Sequence, residues 1–149
     1  MAQFISHAES AARVLLADAG VRILRVDAPD HDDVKMEVLG PDSLDERFQM
    51  VAEPPADEAA AAHGMGAWHV NNVNEFETVL SGQGIVEFWT DEGAVGVLLV
   101  AGDIMAVERA EHRYRPLTSQ GWALRFAGGP GGEFVGTDTG RASGPWSAP

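Results

Sequence analysis

The stretch Phe76-Glu77-Thr78-Val79-Leu80-Ser81-Gly82-Gln83-Gly84-Ile85-Val86-Glu87-Phe88-Trp89-Thr90-Asp91-Glu92-Gly93 decides the fold. Two largely apolar runs, 76–80 and 85–89, flank a Ser-Gly-Gln-Gly cluster, and Asp91-Glu92-Gly93 closes the second run. The same texture continues with runs at 94–100, 104–107, 114–117 and 122–126. Between them lie Ala101-Gly102-Asp103, a polar stretch at 109–111 and Ser119-Gln120-Gly121. Short runs recurring every ten residues or so, each ended by a turn-forming cluster, are the spacing of a β-sandwich or barrel. Helix-length periodic segments are missing after Trp68, which argues against a parallel βαβ sheet.

Upstream of this unit, Ala12, Val14, Leu15 and Ala19 stand at near-helical spacing and Gly20 follows as a stop signal, so one short N-terminal helix is expected over 8–19. Residues 21–26 read as a strand. Residues 35–39, closed by Gly40-Pro41, read as a second strand, giving a helix-and-hairpin portion ahead of the β unit. A helical turn is expected over 43–50, and an exposed loop with a turn of helix over 53–66. The expectation is a mainly β single domain spanning 1–149, with a barrel core over about 66–128. The Gly, Pro and Ser content after Gly128 marks 141–149 as a loose tail.

Composition narrows the function classes. The chain has 149 residues, 45% hydrophobic and 22% charged, which affords a core and excludes disorder throughout. A formal net charge of −13 repels phosphate backbones and anionic membranes, so neither nucleic acid nor a membrane is the expected partner. The absence of cysteine excludes disulfides, thiolate zinc sites, iron–sulfur clusters and Cys nucleophiles. With no basic-then-apolar segment at the N-terminus, a cytoplasmic location is expected. Gly128-Gly129-Pro130-Gly131-Gly132 lacks the Lys-Ser/Thr of a phosphate loop, and Ser81 lacks the glycine frame of a nucleophile elbow.

The chemistry concentrates in His69-Val70-Asn71-Asn72-Val73-Asn74-Glu75, with His112 much later. Positions 69, 71 and 75 differ by even numbers, which on one extended strand places their side chains on one face. His112, after the Gly102-Asp103 turn, is expected to close the site from a neighbouring strand. Two imidazoles and one carboxylate with open positions suit Fe(II) and also accept Mn, Ni, Co or Zn. The candidate ligands are His69, Glu75 and His112, with Asn71 either coordinating or only hydrogen-bonding. Glu77, on the same strand parity as Glu75, is either a general base or an outward charge. Arg113 and Arg115 read as solvated partners of acidic groups, or as holders of an anionic substrate group. His63 reads as solvated, with a substitute ligand the alternative; His7 and His31 read as surface residues, and Trp68, Phe76, Phe88 and Trp89 as core or rim packing. Tyr114, Trp122 and Arg125 are read as packing, with a pocket mouth the alternative.

The pattern His69-x-Asn71-x-x-x-Glu75, Gly82-x-Gly84, Gly102-Asp103 and His112 resembles the two motifs of the cupin superfamily. Within it, residues 75–84, Arg125-Phe126, Pro130-x-Gly132 and Thr139-Gly140 are most similar to the acireductone dioxygenase group, over 68–140. The resemblance implies a jelly-roll barrel (a double-stranded β-helix), one divalent transition metal with Fe(II) favoured, and a monomer or homodimer. It implies a metal-dependent enzyme acting on a small oxygen-bearing organic substrate, of the dioxygenase type. A non-oxidative isomerase, lyase or decarboxylase, or a metal-free small-molecule-binding cupin, is the alternative. Three positions depart from the family pattern. Asn71 stands where the first motif has its second His, Glu108 where the second motif has proline, and Glu77 where acireductone dioxygenases have a substrate-binding Arg. A carboxylate at position 77 repels an anionic acireductone, so that substrate is not carried over.

Overall fold

The structure, a computed structural model, describes residues 1–40, 48–118, 122–128 and 135–149; for 48–50 and 122–128 only the backbone is described. In chain order the elements are β1 (Gln3–Phe4), α1 (Glu9–Asp18), β2 (Val21–Arg25), α2 (His31–Leu39), β3 (Phe48–Ala52), β4 (His69–Asn71), β5 (Glu75–Ser81), β6 (Gln83–Thr90), β7 (Gly93–Val100), β8 (Asp103–Val107), β9 (His112–Pro116), β10 (Trp122–Gly128) and β11 (Gly136–Asp138). They form two facing sheets with orders β1-β7-β6-β9-β4-β11 and β2-β8-β5-β10-β3. Every pairing among the described residues is antiparallel. Strands from both ends of the chain thus complete sheets that the sequence pattern places over about 66–128.

Alternation explains the closure. Val86 and Phe88 on β6, Val95, Val97 and Leu99 on β7, Met105 and Val107 on β8 and Tyr114 on β9 all join one buried cluster between the sheets. Helix α1 adds Ala12 and Leu16, four residues apart on one face, to the same cluster. Gly20, at φ +90°, ends that helix where a Cβ would lie 3.1 Å from the Glu108 carbonyl oxygen. The neighbouring parity of the second sheet, Phe76, Ile104 and Ala106, faces outward and is covered by Val34, Val38 and Leu39 of α2.

That helix corrects the strand expected over 35–39. Val34 and Val38 are four apart, the spacing of one helical face, and Asp32 and Asp33 sit in the first turn where the helix dipole favours acids. The apolar surface of β5 and β8 then selects helix over the hairpin, and β2 pairs with β8 instead. Of the turn expected over 43–50, residues 43–47 lie outside the described residues, and 48–50 belong to β3. The loop over 53–66 carries two 3₁₀ turns, Ala60–Ala62 and Gly64–Gly66, with Ala61 and Gly66 buried.

The tail over 141–149 is not loose. Arg113 donates to the carbonyls of Ser143 (2.8 Å), Gly144 (3.3 Å) and Pro145 (3.2 Å), and Ser147 donates from its amide and hydroxyl to Glu87. Its glycine- and proline-rich composition predicts looseness because that composition carries no apolar face. The tail is held instead through its backbone, which composition does not report. No helix among the described residues is long and apolar enough to cross a membrane.

Candidate metal centre between the sheets

The histidines meet across a seam one ladder pair wide: β4 and β9 are in register at His69 and His112. Both side chains turn inward, their ring centroids 4.6 Å apart, and both are buried. His69 Nδ1 lies 2.7 Å from the Ala67 carbonyl oxygen, and His112 Nδ1 lies 2.7 Å from that of Ala110. A carbonyl oxygen only accepts, so each Nδ1 carries the proton and each Nε2 presents a lone pair. That backbone-tethered tautomer is the arrangement found behind metal-ligating histidines. Burial, followed by the neighbouring His69 ring, depresses the His112 pKa to about 3, keeping that ring neutral.

Glu75 reaches the same place from the other sheet. The sequence puts residues 69, 71 and 75 on one strand face. The structure breaks the strand after Asn71, crosses between sheets at 72–74 and brings Glu75 back from β5. The even spacing is incidental to the convergence. Glu75 Oε2 lies 3.9 Å from His112 Nε2 and has no hydrogen-bond partner, although the residue is only 1% exposed. A buried acceptor without a donor costs about 1–3 kcal/mol. Desolvation, reinforced by the neighbouring Glu77 carboxylate, pushes the Glu75 pKa well above the usual carboxylate range.

Asn71, read as either coordinating or only hydrogen-bonding, stands in a hydrogen-bonding orientation. Its amide nitrogen donates to Glu75 Oε1 and lies 3.4 Å from His112 Nε2. Its oxygen turns toward β11, where a Cβ on Gly136 would meet it at 3.2 Å. In this orientation Asn71 ties the carboxylate and the imidazole together.

Glu77 lies inside, fully buried, which removes the reading of an outward charge. Tyr114, treated as packing by the sequence, donates its hydroxyl to both Glu77 oxygens, at 2.8 and 2.7 Å. Desolvation raises the Glu77 pKa to about 7, against the lowering effect of the Tyr114 hydrogen bond. A cavity of about 280 Å³ between the 53–66 loop and β9 has Tyr114, Pro116, His63 and Met65 in its wall.

The remaining candidates fall elsewhere. Arg113 is buried rather than solvated, and pairs with Glu87 on the outer side of the sheet. Arg115 pairs with the exposed Glu58. His63 is exposed, His7 lies beside Ser6, and His31 contacts Asp32 and the edge of Phe76. Asp103 of the Gly102-Asp103 pair accepts from Arg25 and from the amides of Ala2 and Val100, a structural role. The side chains of Trp122 and Arg125 lie outside the described residues.

Whether a cation fits this centre is a question of donors. Two Nε2 lone pairs and an orphaned carboxylate oxygen suit a borderline divalent ion. As the side chains stand, no three His, Asp or Glu groups among the described residues are arranged to hold one, and the Asn71 amide lies between Glu75 and His112. The donor chemistry fits the ion; the side-chain arrangement as it stands does not yet gather the three groups.

Two antiparallel sheets closed face to face, with a histidine pair and a carboxylate between them, give this chain the cupin fold. Its arrangement is similar to that of the acireductone dioxygenase from Bacillus anthracis with a cadmium ion in its active centre. The TM-score is 0.56 at 13% sequence identity, covering 91% of this chain and 96% of that one. A mutant of the oxalate decarboxylase from Bacillus subtilis is also similar, with a TM-score of 0.46 and 16% identity, covering 61% of this chain and 22% of that one. No protein-family model matches the sequence, and no curated protein matches it significantly.

Proposed function

We propose that this chain is a metal-dependent cupin enzyme acting on a small oxygen-bearing organic substrate. His69, His112 and Glu75 would hold one divalent transition ion. The observation that carries this reading is the pair of buried imidazoles with Nδ1 tied to backbone carbonyls, beside a buried carboxylate oxygen that lacks a donor. Glu75 and Glu77 contact no Lys or Arg in any ion pair among the described residues, and burial favours their protonated forms, so a bound cation is what would let them ionise. When bound, Fe(II) supplies dioxygen activation and a redox-silent ion supplies Lewis acidity. The dioxygenase type is favoured by the likeness to the acireductone dioxygenase fold; isomerisation, elimination or decarboxylation is the alternative chemistry.

Glu77 is the proton-handling group in this reading. Its pKa of about 7 sits where a general acid or base works best at neutral pH, and Tyr114 fixes its orientation. A carboxylate in the place of a cationic side chain disfavours anionic substrates and favours neutral ones that offer hydroxyl donors. The cavity over Tyr114 is the approach route.

Metal analysis of anaerobically purified protein tests the reading. About one equivalent per chain is expected, falling at least tenfold in occupancy for His112→Ala. A protein that purifies without metal and binds no added Co²⁺, Ni²⁺ or Fe²⁺ refutes it. That outcome supports a second reading, a metal-free binding cupin, which the Asn71 bridge between Glu75 and His112 favours.

A further inference from the structure

On its inner side the seam between β4 and β9 carries the two histidines; its outer side and open edge are occupied by the end of the chain. Strand β11 pairs Asp138 with His69, Thr137 with Val70 and Gly136 with Asn71, so β4 lies between β9 and β11. Thr139 continues the line, its amide donating to the Trp68 carbonyl (3.0 Å) and its hydroxyl to Glu111 (2.6 Å). Arg141 then pairs with Glu111, the residue before His112, and lies 3.6 Å from the centroid of the Trp89 ring. Arg113, the residue after His112, binds three successive tail carbonyls. Its guanidinium sits between Trp146 at 4.0 Å and Trp68 at 4.8 Å, and Trp68 is the residue before His69.

The residues that flank the histidines in sequence are therefore the ones that grip the tail. With only one register pair joining β4 to β9, the ladder between them does little to fix the spacing of the rings. We propose that segment 136–147 is a positioning element for the histidine pair, with Arg113 as its anchor. It sets the separation of His69 and His112 from outside the barrel, with no hydrogen bond to Glu75 or Glu77 among the described residues and no residue in the wall of the cavity over Tyr114. The guanidinium matches this task because its planar fork serves Glu87 and several carbonyls at once while both ring faces stack, which an ammonium cannot do.

The proposal deepens the metal reading and rests on it only for one of two readouts. The variants are Trp146→Ala and Arg113→Lys in the full chain, each of which loosens the tail without leaving Glu87 bare of charge. The first readout uses no metal: amide hydrogen exchange, together with the ring ¹⁵N shifts of His69 and His112. Exchange at residues 69–71 and 112–113 is expected to accelerate tenfold or more while β2 and β8 stay at wild-type rates, and the ring shifts are expected to move. The second is Co²⁺ titration followed by visible absorption, where affinity is expected to fall 10–100-fold. If wild-type protein takes up no Co²⁺, the metal reading fails and hydrogen exchange alone decides the positioning role. Wild-type exchange and ring shifts in β4 and β9, with the tail amides shown to be released, overturn the proposal. Uniform acceleration across both sheets also overturns it, because the tail is then a general stabiliser.

Discussion

The two faces of β4 and β9 are opposites. Outside, Arg113 and Glu87 are almost fully buried, yet their polar groups find partners: Arg113 donates to Glu87 and to three carbonyls, and Glu87 also accepts from the Ser147 amide and hydroxyl. Inside, the histidines of the same two strands face Glu75, which reaches them from β5 of the other sheet, is just as buried, and has one oxygen without a donor. A buried polar group that is fully satisfied fixes a conformation; one left short of a donor is a mark of a site held for a ligand.

Breaking the outer pair gives the largest expected effect. Arg113→Ala leaves Glu87 buried without its cation and is expected to cost about 3–5 kcal/mol in chemical denaturation. If the loss is under about 1 kcal/mol, the two faces do not differ as described. The inner face predicts the opposite sign. Glu75→Gln replaces a carboxylate that lacks a donor with an amide that brings its own, so metal-free protein is expected to gain about 1–3 kcal/mol. A loss of similar size would show that the centre is built for its own stability.

The inner face also sets a pH signature for the metal-free protein. Glu77 is raised from 4.5 to about 7 in the fold, so its contribution is present below pH 4.5 and declines as pH rises to about 7. His112 is lowered from 6.5 to about 3, so its contribution is present above pH 6.5 and declines as pH falls toward 3. Between 4.5 and 6.5 the rise from His112 is opposed by the fall from Glu77 and by that from Glu75, which is raised as well. Stability is expected to peak near pH 4.5, to fall as pH rises through this range and to drop on acidification below 4.5. Denaturation midpoints across that range check it; a monotonic rise from pH 4 to 7 contradicts the buried state of Glu77. The smallest effect belongs to the exposed pair of Arg115 and Glu58, where Glu58→Gln is expected to leave the melting temperature unchanged within error.

Much of this was legible in order and spacing. The β-rich unit follows from apolar runs broken by turn clusters, and α1 from four-residue spacing ended by Gly20. The histidine–carboxylate convergence is readable through the motif rather than through strand parity, since Glu75 returns from the opposite sheet. Helix α2 was hidden because residues 35–39 alone do not show Val34 and Val38 as one face; the apolar surface it covers lies far along the chain at Ile104 and Ala106. The Tyr114–Glu77 bond and the Arg113–tail contacts join positions 37 and about 30 residues apart, and neither side chain type announces its partner. Alternation along His112-Arg113-Tyr114-Arg115 was the available signal, placing one pair inside and the other outside.

Gly96 on β7 is where the first and last segments come together. Its carbonyl accepts from the Ile5 amide, its amide donates to the Ser6 hydroxyl, and a Cβ there would lie 2.5 Å from the Ser147 hydroxyl oxygen. Residues 5 and 147 therefore meet across a single glycine. A circularly permuted chain, with a short linker joining these ends and new termini opened at the Asp91-Glu92 turn, keeps every strand neighbour and is expected to fold.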